Sequence, residues 1–469
     1  MSYGRRAIYT DATEITAKNV ADEVRKAVLV HDSNRNEINR LYDYYRGKTG
    51  ILGKVKEFRE NINHKVNENR AYEIVSFHKG YTFGEAIQYV RRENSSDGAA
   101  DDVIAADINA LNGYMSDADK AACDNELAEW LYVAGTSYRL TLPNEKWSPG
   151  GDEPPFVVYS LNPAQTFIVY SSDIKRRVMM SVTYVARESG ERVFGVYTDD
   201  AYYEFVEYGA VSVMPNPLGV NPIIEYPADT SRLGVFEIVM PLLDALDELQ
   251  SNRMDDIVQF VNSILTVLGG EIDKETSDKL LELKMLCLPE GVDAKYITAP
   301  MSQADVQTLK DDLYQSILTI CGVPNRNGGT STSDTGSAVI MRDGWQAAEA
   351  RAKATELVFK RSEKEFLKLI LRILRDTVGT HLRLADIETH FTRRNYENIA
   401  SKSQVLISML NSPWIHPETA YSSCGMFPDP ESAYLQGKAW YDENQKKLSE
   451  VADEIQNHDE ESITESNGG

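Results

Sequence analysis

The side chains best placed for chemistry are acidic. Asp244, Asp247 and Glu248 recur at steps of three and four, so a helix brings them to one face. Carboxylates grouped in this way either hold a cation or carry a solvated surface. No His or Cys stands beside them to complete a ligand set, and the solvated surface is the plainer reading. Asp255 and Asp256 read the same way, with Ser251 and Arg253 lying between the two groups. His31, His64, His78, His381, His390, His416 and His458 are scattered, and none pairs with another at metal-ligand spacing on one helix. The HExxH, GxSxG and SxxK constellations are missing. Gly47-Lys48-Thr49 resembles the close of a phosphate-binding loop, but Tyr42 stands where that loop needs glycine. The hydroxyls of Ser331, Thr332, Ser333 and Thr335 have no lysine after them, so they make no phosphate cradle. The expectation is a protein with no catalytic, cofactor or metal site, one that is not an enzyme and carries no ATP-driven motor.

Those acids sit on the helix around which the chain is organised. Phe236, Val239, Leu243, Leu246, Leu249, Ile257, Val261, Ile264 and Leu268 keep one face apolar at a 3.6-residue period, and Gly269-Gly270 closes the pattern. Pro241 predicts a kink or a late start. Between Leu233 and Leu268 six acids face a single base, Arg253. A second helix is expected over 302–320, capped by Ser302 with Asp305 three residues on. Its stripe is Val306, Leu309, Leu313, Ile317 and Ile320, and it stops at Gly322-Val323-Pro324. Each helix can supply the apolar neighbour the other needs. The run that follows, Asn325, Arg326, Asn327, Gly328, Gly329, Thr330, Ser331, Thr332, Ser333, Asp334, Thr335 and Gly336, has no large apolar side chain and predicts a mobile loop.

Elsewhere the pattern predicts a helix over 16–46, then a helix from 66, a turn at Gly80 and Gly84 and a strand at 87–90. Helices follow at 101–112 and 116–134. From 136 to 226 short runs rich in Val, Tyr, Phe and Ile predict strands at 137–142, 156–160, 166–170, 178–186, 192–197 and 202–206. Pro215, Pro217, Pro222 and Pro227 mark an irregular passage. Residues 269–300 hold a small helix at 274–286 and an extended piece at 294–298, too little to bury a core alone. Residues 337–378 read as one helix of roughly 60 Å with nine bases against six acids, an excess that a solvated, salt-bridged face explains. A returning strand at 387–394, helices at 398–410 and 430–441 and an acidic tail end the chain, with the last dozen residues expected to be disordered.

At 469 residues the chain has room for two or more domains, and 42% hydrophobic content fits a globular class. The net charge of −23 argues against tight non-specific nucleic-acid binding, which needs clustered Lys and Arg; it is compatible with a surface past which DNA slides, though on composition alone acidic charge that keeps the protein soluble is the plainer reading. Cys123, Cys287, Cys321 and Cys424 lie far apart, without a CxxC pair, so neither a zinc ribbon nor disulfides are expected. No signal peptide and no membrane span are expected.

The order of these elements resembles that of portal proteins of tailed phages and prophages, in the subgroup of long non-contractile tails. Four stretches carry the likeness over roughly 35–440. They are Asn69-Arg70-Ala71-Tyr72-Glu73-Ile74-Val75 with Gly80-Tyr81-Thr82-Phe83-Gly84; Phe236-Glu237-Ile238-Val239 through Leu243-Asp244-Ala245-Leu246 to Ser251; Gly322-Val323-Pro324-Asn325 with the loop and Gly336-Ser337-Ala338; and the strand–helix return after the long helix. The resemblance implies an α+β portal-protein fold with a mixed α/β wing, a two-helix stem, a small α/β clip, a long spine helix and an α-helical crown. It maps the wing to 1–230, stem helices to 231–268 and 302–323, the clip to 269–301 and the tunnel loop to 324–336. The spine helix and returning wing strand fall at 337–396, the crown at 397–455 and a disordered acidic tail at 456–469. It implies a dodecameric ring at one capsid vertex of the virion, assembled in the host cytoplasm. Double-stranded DNA would enter and leave through the ring without sequence specificity. The implied partners are the terminase large subunit, head-completion or adaptor proteins, and the major capsid and scaffolding proteins. Asn325–Gly336 would face the DNA, and Asp244, Asp247, Glu248, Ser251, Arg253, Asp255 and Asp256 are the candidates for lining the stem channel.

Two other classes remain to be weighed. An acidic helical scaffold or adaptor would have no channel and no use for the long β-rich stretch. An enzyme with the Gly/Ser/Thr loop as a lid would need a catalytic constellation that the sequence lacks.

Overall fold

The computed structural model describes residues 3–56, 60–92, 98–207, 209–261, 264–268, 293–297, 303–325, 344–392, 399–427, 430 and 432–445. Two compact units divide the chain: 1–80 with 122–146 and 156–373, and 81–121 with 147–155 and 374–469. The expected N-terminal segment 1–230 is therefore shared between them.

In the larger unit, β1 (Ile8–Thr10) pairs in parallel with β5 (Thr166–Ser171). From β5 an antiparallel meander runs through β6 (Val178–Ala186), β7 (Arg192–Tyr197), β8 (Ala201–Val206) and β9 (Ser212–Pro215). Alternation along these strands puts Phe167, Val169, Met180, Val182, Phe194, Val196, Tyr203 and Phe205 on one face. That face receives Val20, Val24, Ala27 and Val28, the apolar side of α1 (Val20–Tyr45). A second sheet orders β10 (Ile223–Pro227), β3 (Thr136–Pro143) and β4 (Phe156–Leu161), all antiparallel, with Tyr138 and Ile223 buried in it.

The long helix α7 (Trp345–Thr377) is fastened to this second sheet by charge. Arg139 on β3 is fully buried, paired with Asp124 and with Glu363, 3.1 Å away on α7. Tyr226 on β10 also donates to Glu363 at 2.9 Å, and the guanidinium lies over the Tyr226 and Phe366 rings. Asp124 belongs to α4 (Lys120–Ala134). A buried charge is tolerable only when its partners are this close, and removing one of them costs roughly 3–5 kcal/mol.

In the smaller unit, β2 (Gln88–Arg91) pairs antiparallel with β13 (Ile387–His390). Asn112 of α3 (Gly98–Asp117) receives a hydrogen bond from the Tyr89 N–H and donates one to the Tyr89 carbonyl, which ties helix to strand. Further on, α8 (Ile399–Leu410) and α9 (Pro417–Cys424) pack through Leu406, Ala420 and Cys424, and 432–445 is again helical.

Several expectations change. Helix α2 (Arg70–Phe83) runs straight through Gly80, so that glycine makes no turn. The helix expected to reach Leu268 is α5 (Met240–Val261), and Ile264–Leu268 is instead strand β11, paired antiparallel with β12 (Asp293–Ile297). The β-branched run Ile264-Leu265-Thr266-Val267-Leu268 carries no charge, and a short apolar run of that kind fits a strand as well as a helix. Pro241 does impose a late start: a 3-10 turn at Glu237–Val239 precedes α5, and the proline sits in its first turn. The small helix expected at 274–286 and the disordered tail lie outside the described residues.

Candidate functional site

Helix α5 and its partner α6 (Gln303–Cys321) form the centre of the candidate site, with a strap made by the described parts of residues 46–69 laid against them. Leu243 and Leu246 of α5 and Ile317 of α6 are buried, as the apolar stripes predict, and so is Leu318, which lies outside the expected stripe; Ile257, Leu309 and Ile320, expected on the buried faces, are exposed instead.

The acids of α5 divide into two sets. Asp247, Ser251 and Asp255, four residues apart, are buried and meet the strap. Asp247 accepts from Thr49 Oγ1 at 3.1 Å and from the Glu68 N–H at 3.0 Å. Ser251 Oγ accepts from the Val66 N–H at 2.9 Å. Asp255 accepts from the His64 N–H at 2.7 Å and from His64 Nδ1 at 2.8 Å, and pairs with Lys54 and Lys56. The two carboxylates differ in protonation energetics. Burial pushes the Asp247 carboxyl up, and the Glu68 and Thr49 donors only partly offset it. Burial also acts upward on Asp255, but the His64, Lys56 and Lys54 donors outweigh it and hold the carboxyl well below the usual range. The solvated face expected for Asp247 and Asp255 is thus corrected: both are inside, anchoring the strap.

Asp244, Glu248 and Asp256 stay exposed, and Asp244 accepts from the Tyr44 hydroxyl at 2.8 Å. On α6, Asp305, Asp311 and Asp312 are also exposed. The cations of the pair are engaged: Arg253 donates to Gln307 at 2.9 Å, and Lys310 pairs with Glu68 at 2.7 Å. The solvent side of the two helices is therefore strongly acidic.

Helix α6 ends at Gly322, whose φ of +69° closes the helix in the left-handed conformation. His78 of α2 hydrogen-bonds the Cys321 carbonyl at 2.9 Å, and Arg351 of α7 donates to that of Ile320. Burial takes the His78 imidazole down to about 4, so it is neutral at physiological pH. A Cβ at Gly322 would run into the Arg351 side chain. The next described residue after Asn325 is Gly344, where a Cβ would lie 3.9 Å from Pro324 Cα, so the chain returns to the point it left. Asn325 itself is half-buried; Arg326, Asn327, Gly328, Gly329, Thr330, Ser331, Thr332, Ser333, Asp334, Thr335 and Gly336 lie outside the described residues.

Sequence reasoning missed the strap. Its signals, Lys54, Lys56 and His64, are legible only once the fold brings them to Asp255. Among the described residues no group of three His, Cys, Asp or Glu side chains is placed to hold a metal, and no helix is long and apolar enough to cross a membrane.

The chain matches the family described as phage portal protein, SPP1 Gp6-like, over residues 28–465, and it belongs to that family. The family is a structural one, and the role it gives this chain is that of a phage portal. A solved structure described as the neck of a native GTA particle, computed with C12 symmetry, is similar at 12% identity and a TM-score of 0.40, covering 76% of this chain and 90% of that one. No curated protein matches the chain.

Proposed function

We propose that copies of this chain assemble as a ring, of about a dozen subunits, at one vertex of the capsid, and that double-stranded DNA is packaged and ejected through its centre. The family match along 28–465 carries this reading. In it, α5 and α6 form the stem, β11 and β12 are the feet of the clip, and 324–336 is the tunnel loop. Helix α7 is the spine, and the helices from 399 onward build the crown. The terminase large subunit docks on the assembled ring during packaging, and head-completion and tail proteins follow it. The major capsid and scaffolding proteins are its further partners during assembly.

The outward acids of the stem support the channel role. A lining that neutralises phosphates would release counterions and hold the duplex, whereas an acidic wall lets it slide. Of the seven stem candidates, Asp244, Glu248 and Asp256 are exposed and are the ones we place on the channel side, with the half-buried Arg253 held against Gln307; Asp247, Ser251 and Asp255 serve the strap. The loop is tested by removing residues 328–335 and measuring packaged DNA. Rings that still form but fill poorly are the expected result. Rings that fill normally would remove the loop from the DNA path.

A further inference from the structure

Helix α7 carries an excess of base, and two of its five carboxylates are turned inward. Its carboxylates Glu356 and Glu363 are buried, the latter held by Arg139 and Tyr226. On the exposed face Arg361, Lys364, Lys368 and Arg372 recur at steps of three and four. Lys368 has Glu365 beside it at 2.7 Å, while Arg361, Lys364 and Arg372 have no carboxylate partner among the described residues. The solvated, salt-bridged face expected from the sequence holds at Lys353–Glu349 and Lys368–Glu365, while from 361 to 372 bases outnumber their partners in a basic stripe roughly 16 Å long at 1.5 Å per residue.

That stripe stands out in a chain of net charge −23. Copies so acidic repel one another unless opposed patches meet. A closed ring is built from a head-to-tail interface, which joins two different patches of the same chain. Helix α6 offers the complementary patch, with Asp305, Asp311 and Asp312 exposed. Asp305 and Asp312 are two turns apart, as are Arg361 and Lys368, so both pairs are separated by roughly 10 Å. We propose that the α7 stripe is a subunit–subunit contact surface and that it takes the acidic face of α6 from a second copy. The inference rests on the ring reading above and says which surfaces close the ring. A duplex is the weaker occupant: affinity for it grows with the number of phosphates neutralised, and four cations on so acidic a chain neutralise few.

The test is mass photometry of the full chain at low and high salt, with a thermal melt of each variant. The wild type is expected to form rings that loosen as salt screens the contact. Arg361→Glu with Lys364→Glu and Arg372→Glu is expected to leave monomers with an unchanged melt, and adding Asp305→Lys and Asp312→Lys to the same chain restores rings. The single reversal Lys364→Glu, too mild to threaten the fold, shifts the ring–monomer midpoint to lower salt. Triple-variant rings as salt-resistant as the wild type would overturn the proposal, as would loss of rings that the reversed acids do not restore. Intact variant rings that retain less DNA would assign the stripe to the duplex instead. A wild type that forms no ring would overturn the ring reading itself, a result distinct from all of these.

Discussion

Helices α5 and α7 make opposite use of the same arrangement. Each turns part of its acid inward, Asp247 and Asp255 on α5 and Glu356 and Glu363 on α7. What remains outside then differs in sign: α5 shows Asp244, Glu248 and Asp256, and α7 shows Arg361, Lys364, Lys368 and Arg372. A count of charges along a helix does not give the charge of its surface, because buried carboxylates are spent on fastening one element to the next.

The comparison breaks most visibly where the inward charge is most buried. Arg139→Met removes the buried guanidinium paired with both Glu363 and Asp124 and is expected to cost roughly 3–5 kcal/mol in denaturant unfolding. Leu246→Asp, on the buried side of α5, puts an unpaired charge where no partner exists in the apolar stripe and is expected to abolish folded protein at a cost of several kcal/mol; an unchanged melt would refute the assigned face. Asp255→Asn loosens the strap, at about 1.5–3 kcal/mol for hydrogen bonds to a charged group, and amide exchange over residues 60–69 should speed up.

The pH dependence of that last effect follows from its sign. The folded Asp255 carboxyl lies below its ordinary value of 3.8, so its contribution is present above pH 3.8 and fades as pH falls below it. Asp247 behaves oppositely, since its folded carboxyl is raised and ionisation there works against folding. Asp247→Asn keeps one oxygen to accept from the Glu68 N–H and turns its amide N–H toward Thr49 Oγ1, which can accept it, so stability at neutral pH should change by less than about 1 kcal/mol. A loss as large as that of Asp255→Asn would erase the distinction. Smallest of all, Glu248→Ala with Asp256→Ala should leave the melt within about 0.5 kcal/mol, since both are exposed.

Much of the fold was legible in the sequence. Six strands between 137 and 206 show in their Val, Tyr and Phe runs, and the stripes of α5 and α6 mark the buried faces in part, at Leu243, Leu246 and Ile317 but not at Ile257, Leu309 or Ile320. Two missed strands have a common cause. Strands β9 and β10 end in Pro215 and Pro227, and proline reads as irregular chain although the edge of a sheet tolerates it. Strand β1 is only three residues long and pairs with β5, more than 150 residues away, so no local pattern marks it. In the candidate site, the buried centre of the stem, at Leu243, Leu246 and Ile317, was readable. The division of its acids was not, because the segment that buries Asp247 and Asp255 lies some 190 residues earlier in the chain.

The measurement that bears most directly on the account is the mass and shape of the purified full chain, by mass photometry and negative-stain microscopy. The account predicts a ring of about a dozen copies around an open centre. A stable dimer or tetramer with no channel would contradict it.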